Sequence, residues 1–185
     1  MKNAITPWTQ FLMDLFFTAL SDNEPEVQCN AAFASGLLIE HSDMDLSPQY
    51  LQILTALRPI FVVAPDAPAA KFNARDNAVG AVVRMIVAAV PLDQVLPVFF
   101  DALQLRNGYL ENRPVFRAIF HLFKTQPAVL HPYLDKLLQV FAFVLDPTAP
   151  DQVGDEIRAE LIPLIGLLNR EEPAKVQAAG LSAFV

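Results

Sequence analysis

The strongest constraint in the sequence is its repetition as pairs of helices. Apolar residues recur at i, i+3, i+4 and i+7 in segment after segment, the signature of a helix that buries one face. The series Phe11, Leu12, Leu15, Phe16, Ala19, Leu20 has this spacing, as do Val95, Leu96, Phe99, Phe100, Ala102, Leu103 and Tyr133, Leu134, Leu137, Leu138, Phe141, Val144. Strict alternation, the mark of a half-buried strand, is sustained nowhere. The one β-prone stretch, Ile60 to Val63, is closed off by Pro59 and Pro65.

Prolines and short polar stretches divide the helices. Thr6-Pro7 and Ser47-Pro48 place a capping hydroxyl before a proline, as at a helix N-cap followed by its first turn. Pro91, Pro127 and Pro150 mark further openings. Pairing the segments gives four units: 7–20 with 25–41, 47–63 with 72–89, 91–104 with 109–125, and 127–145 with 150–169, then a short helix over 173–183. Three second helices carry an asparagine near their start: Asn30, Asn77 and Asn112, separated by 47 and 35 residues, with Asp155 near the equivalent place 43 residues on. Two-helix periods of this size imply a HEAT or armadillo solenoid, and the uneven spacing favours HEAT. The expected fold is all-α: one domain over 1–185, a right-handed superhelical stack of about four helical hairpins with repeats near 7–41, 47–89, 91–125 and 127–169.

Composition narrows the function. The chain has 185 residues, 54% of them hydrophobic and 18% charged, too apolar for disorder. Its net charge of −7 argues against nucleic acid or an anionic membrane, which need clustered Lys and Arg. The longest apolar run, Met85 to Leu92, is far short of the roughly 20 residues a spanning helix requires. No secretory signal is recognisable at the N-terminus. A single cysteine, Cys29, excludes an internal disulfide and fits a reducing compartment.

No phosphate-binding loop, dinucleotide fingerprint, nucleophile elbow or zinc-hydrolase motif occurs, so no enzyme, metal or cofactor is expected. His41, His121 and His131 are scattered. Asp155, Glu156 and Glu160 read as a solvated first turn favoured by the helix dipole. Arg113, Arg117 and Lys124 form a basic stripe, read as a solvated face or as partners for acids of an adjacent repeat.

Acidity is concentrated at one end. Residues 1–50 hold seven acids and one base; the remainder holds 13 acids and 12 bases. Two readings stand: a solubilising face, or a patch that attracts a Lys-rich segment. The asparagines also have two readings. An Asn on a concave face can hydrogen-bond the backbone of an extended peptide, giving both donor and acceptor. Glu26 with Asn30, and Asn73 with Asn77, share a helix face at i,i+4, and Asp76, Glu111 and Asp155 would then hold lysine ammonium groups. Alternatively the asparagines cap helices or bond the neighbouring repeat in a structural ladder. At the N-terminal end, Trp8, Phe11, Leu12, Leu15, Phe16 and Phe17 make an apolar band wider than one neighbouring helix covers, with Trp8 over the exposed end.

Three stretches carry a resemblance. Pro25-Glu26-Val27-Gln28-Cys29-Asn30-Ala31-Ala32-Phe33-Ala34-Ser35-Gly36 resembles a HEAT second helix found near the C-terminus of importin-beta family karyopherins. Residues 74–86, from Ala74-Arg75-Asp76-Asn77 to Met85-Ile86, resemble the next repeat. Residues 95–105, Val95-Leu96-Pro97-Val98-Phe99-Phe100-Asp101-Ala102-Leu103-Gln104-Leu105, resemble the one after. The order is similar to that of the importin-4-like subgroup and covers about 25 to 125 well. The family's acidic turn is here Arg106-Asn107-Gly108-Tyr109-Leu110-Glu111, which has lost most of its acid. The resemblance implies a nuclear import receptor found in cytoplasm and nucleus that binds basic cargo, histone or ribosomal protein segments. It implies no Ran binding by this chain alone, since the family binds Ran through N-terminal repeats. The alternatives are a purely structural terminal module, or a different HEAT scaffold of phosphatase or vesicle-coat type.

Overall fold

A computed structural model describes residues 2–88, 92–106 and 109–185. Pro91, the last residue of the expected 72–89 helix, and the Asn107-Gly108 part of the expected turn lie outside the described residues. The α-helices are α1 (Lys2–Ile5), α2 (Thr9–Leu20), α3 (Pro25–His41), α4 (Tyr50–Leu57), α5 (Ala69–Val87), α6 (Leu92–Ala102), α7 (Asn112–Thr125), α8 (Leu134–Val144), α9 (Gly154–Glu171) and α10 (Pro173–Ala178). Among the described residues there is no strand, and Ile60 to Val63 leaves a 3-10 turn as extended coil. The fold class is therefore all-α, as the periodicity requires.

The expected helices are present, but prolines shorten their first halves. The segment expected as one helix over 47–63 is a 3-10 turn at Ser47–Gln49, then α4, then a 3-10 turn at Arg58–Phe61. Pro59 has no N–H for an α-helical bond, so the chain tightens there. Pro132 acts alike, leaving Pro127–Tyr133 as 3-10 turns before α8. The expected cap at Ser47 is supplied instead by Asp45, whose Oδ1 accepts both the Ser47 N–H at 2.9 Å and the Ser47 hydroxyl.

The chain falls into two compact units, Met1–Ala118 and Ile119–Val185. In the first, α2 folds back on α3 across a turn in which Asp22 Oδ1 accepts the Glu24 N–H at 2.9 Å. Buried Thr9 closes the other end of this hairpin through a 3.0 Å bond to the Ser42 hydroxyl. The broadest helix contact joins α3 to α5; α2 touches α4, and α4 and α6 each lie on α5. α5 is buried on nearly all sides, through Phe72, Ala74, Ala78, Val79, Ala81, Val82, Val83, Met85 and Ile86. Its C-terminal half, Ala78 to Ile86, is apolar but for Arg84 and belongs inside, and each fully buried Val, Ile or Met stabilises by about 1.5–3 kcal/mol. α3 and α5 run parallel and in step, because Cys29 meets Asn77, Gly36 meets Ala81 and Glu40 meets Arg84. Their closest approach is at Gly36, where a Cβ would stand 3.0 Å from Ala81 Cα.

In the second unit the core is Leu134, Leu137, Leu138 and Phe141 of α8 with Ile157, Leu161, Ile165 and Leu168 of α9. α10 returns on α8 and α9, with Val176 buried and Lys175 Nζ 3.3 Å from Asp135. Asp151 Oδ1 accepts the Val153 and Gly154 N–H groups at 3.2 Å and starts α9. Gly154 has φ +68, a left-handed conformation that suits glycine.

Trp8, Phe11 and Leu15 are exposed at 61%, 66% and 51%, while Met13 of the same turn region is 1% exposed. The apolar band on α2 is thus wider than its packing partners, as its sequence implies.

Candidate protein-binding surface

Helix α5 carries polar groups, and four of them, Arg75, Asp76, Asn77 and Arg84, reach neighbouring elements. Asn77 Nδ2 donates to the Cys29 carbonyl of α3 at 3.0 Å, with Cys29 Sγ at 3.1 Å. Arg75 Nη2 donates to the Ala102 carbonyl at 2.9 Å, closing the C-terminus of α6. Asp76 Oδ2 accepts the Arg106 N–H at 2.9 Å. Two turns further on, Arg84 reaches three acceptors: Glu40 at 2.9 Å, the Gly80 carbonyl at 2.8 Å and Glu111 at 2.6 Å. A buried cation needs such partners, because desolvating it alone costs far more than any single bond returns.

Gly80 makes this last pair possible. The Glu111 carboxylate occupies the volume a Gly80 Cβ would fill, so a side chain there collides with it. The Arg84 and Glu111 side chains are 9% and 3% exposed, whereas Glu40 is 40% exposed. The group joins α3, α5 and the 3-10 turn at Tyr109–Glu111, three segments far apart in the chain.

These facts sort the residues singled out from the sequence. Glu26 and Asn30 are exposed on α3, and Asn73 is half-buried on α5. The step between the parallel helices puts Glu26 and Asn73 at the same level, at adjoining N-terminal ends, one turn before Cys29 and Asn77. Asp76 and Glu111 are at 0% and 2% exposure and Asn112 at 4%. The expectation that Asp76 and Glu111 stand open to lysine is corrected: both are inside, one holding a loop amide and the other a guanidinium. Asn77 acts as the ladder reading describes, between second helices of neighbouring hairpins. Asp155 is exposed in the first turn of α9, in the other unit. Arg75 and Arg84 escaped notice in the sequence, although Arg84 interrupts the apolar run Val79 to Ile86, itself a sign of a charge that must find an internal partner.

Electrostatics around this region are acidic at the surface. All seven acids of residues 1–50, among them Asp14, Asp22, Glu24 and Glu26, are exposed. The Cys29 thiol is pushed above its ordinary pKa, first by burial, then by the fields of Asp76 and Glu26, against the lowering effect of the Asn77 bond. Such a thiol is protonated at neutral pH and a poor nucleophile. Among the described residues no group of His, Cys, Asp and Glu has the arrangement of a metal site, and no helix is long and apolar enough to cross a membrane. The surface carries amide and carboxylate groups on adjoining helix ends.

Known proteins are similar to the chain. It is 42% identical over 168 residues to "Probable importin subunit beta-4" of Schizosaccharomyces pombe, covering 89% of this chain. It is 26% identical to "Importin-4" of Homo sapiens over 171 residues and of Mus musculus over 174. The chain spans about 15% of the length of each of these relatives. No protein-family profile matches it.

Proposed function

The chain belongs to the importin-beta family, in its importin-4-like subgroup, and on that premise we propose that it is a protein-binding module of a nuclear import receptor that engages a basic segment of cargo. The observation that carries the proposal is the 42% identity to an importin subunit along nearly the whole chain, joined to an exposed acidic first hairpin. The cargo segment is of the histone or ribosomal protein tail type, Lys-rich and extended. It docks at the N-terminal ends of α3 and α5, with Glu26 and the neighbouring Asp22 and Glu24 supplying negative charge and Asn30 and Asn73 supplying backbone hydrogen bonds. The acids are needed because helix N-termini alone carry positive potential and repel cations. Asp155 provides a further acidic point in the second unit. The role is non-enzymatic and uses no cofactor, and the receptor works in cytoplasm and nucleus.

The repeat reading, HEAT-type hairpins near 7–41, 47–89, 91–125 and 127–169, supports this role because second helices stacked side by side, as α3 and α5 are in the first unit, present their N-terminal ends together. The competing reading is a purely structural module, favoured by the inward commitment of Asp76, Asn77 and Glu111.

A titration of a Lys-rich histone-tail-like peptide separates the two. Exposed ion pairs are each worth about 0–1 kcal/mol and are screened over about 8–10 Å at physiological salt. Weak binding is therefore expected, falling at higher salt and falling again when Glu26→Lys and Glu24→Lys are combined. Equal affinity of wild type and the double variant at two salt concentrations would discard the acidic face as the cargo site.

A further inference from the structure

The acidic chain also carries a region of the opposite character. Arg58, Arg75 and Arg106 converge on a groove of about 440 Å³ in the first unit, formed by the 3-10 turn after α4, the N-terminal half of α5 and the C-terminal end of α6. Phe61, Val62 and Val98 give it apolar walls, and Val62 is 84% exposed. One acid, Asp101, stands at its rim.

The arginines are held in different ways. The Arg106 guanidinium lies over the Phe72 ring, 4.9 Å from its centroid, and its backbone is fixed by Asp76. A guanidinium stacked on a ring keeps its N–H edge free for a planar anion. Arg75 is fixed by the carbonyls at the end of α6, and burial lowers its pKa. Arg58 is exposed and, among the described residues, has no carboxylate within ion-pair distance. Two positioned cations and one exposed cation thus border an apolar cleft in a molecule whose net charge is −7. Such a place repels basic peptide and favours an acidic one.

We propose that this groove binds an acidic, extended segment of a protein partner, with an Asp or Glu carboxylate between Arg58 and Arg106 and an adjacent apolar side chain against Phe61, Val62 and Val98. The groove adjoins the proposed cargo surface, since Phe72 and Arg75 of its lining flank Asn73 on α5, and differs from it in the sign of its charge. Charge complementarity selects the occupant, and the apolar walls add a contact that a carboxylate alone does not make.

The test uses the 185-residue chain and three fluorescent peptides of one length: an Asp/Glu-rich peptide with a central Phe, its Asn/Gln counterpart, and the acidic peptide with the Phe replaced by Gly. The acidic Phe peptide is expected to bind best, and about tenfold less tightly to Arg58→Glu combined with Val62→Asp, since the variant reverses one exposed charge, adds a second negative charge and removes an apolar contact. Both substituted side chains are exposed, and an unchanged melting temperature shows the fold intact. The variant should leave binding of Lys-rich peptide unchanged or stronger, so failure of this site and failure of the cargo site are read independently. Equal binding of the acidic and Asn/Gln peptides, or no loss in the double variant, would overturn the proposal. So would tighter binding of a single-stranded RNA of equal charge with the same sensitivity to the variant, which would reassign the groove to nucleic acid.

Discussion

Gly80→Ala is the substitution whose sign the structure decides against local expectation. In the interior of an exposed helix, replacing Gly by Ala stabilises by about 1 kcal/mol, because glycine has more freedom to lose on folding. At position 80 the new Cβ meets the Glu111 carboxylate and stands 2.9 Å from Arg84 Nη1. Glu111 has to withdraw, which separates it from Arg84 in a place where neither side chain has water to turn to. Breaking a buried pair by removing one partner costs about 3–5 kcal/mol. Subtracting the helix gain leaves a net loss of about 2–4 kcal/mol. Urea unfolding followed by circular dichroism at 222 nm measures it. The control is the same substitution in a Glu111→Ala background, which removes the obstructing carboxylate. There Gly80→Ala is expected to be neutral or to stabilise by up to about 1 kcal/mol, so the effect reverses. A Gly80→Ala single variant as stable as wild type, or the same loss in both backgrounds, would refute the claim that glycine is there to admit Glu111.

Four further outcomes are expected. Asn77→Ala leaves the Cys29 carbonyl without its 3.0 Å donor and should destabilise by about 1 kcal/mol, again by urea unfolding; no change would remove Asn77 from the ladder. Asp151→Asn should lower the melting temperature at pH 7. The Asp151 carboxyl lies below its ordinary pKa, chiefly through bonds from the Val153 and Gly154 N–H groups. Its contribution is present above the ordinary aspartate value and is lost progressively as pH falls below about 4, so the difference between wild type and variant should narrow as pH is lowered through that range. Cys29 in the folded chain should react with iodoacetamide at pH 8 more slowly than in the urea-unfolded chain, because burial raises its pKa; an equal or faster rate contradicts this. Finally, Trp8→Ser and Phe11→Ser should reduce self-association seen by light scattering without loss of helix, whereas Met13→Asp should unfold the first hairpin, since Met13 is at 1% exposure and Trp8 at 61%.

The helices were legible because their cause is local. The 3.6-residue spacing of Phe11 to Leu20, or of Tyr133 to Val144, requires only that one face be covered, whatever covers it. The proline breaks at Pro59 and Pro132 are local too, and their consequence, 3-10 turns within an expected continuous helix, follows from the missing N–H. The three stretches resembling importin-beta repeats were likewise readable, and the relatives cover nearly the whole chain. The side-chain roles were not. Glu26 and Asp76 are both acids near the start of a second helix, and nothing in their own neighbourhood separates them. One is in solvent and the other at 0% exposure. That difference depends on α5 having neighbours on nearly all sides while α3 keeps an open edge, a fact of packing between segments dozens of residues apart. The same holds for Arg84, which is an interrupted apolar run in one dimension and, in three, the link between Glu40 and Glu111. Sequence alone determined which residues form helices and which faces are apolar. Only the tertiary structure decided which charges are spent on internal pairing and which remain for a partner, because desolvation is set by what the rest of the chain brings near.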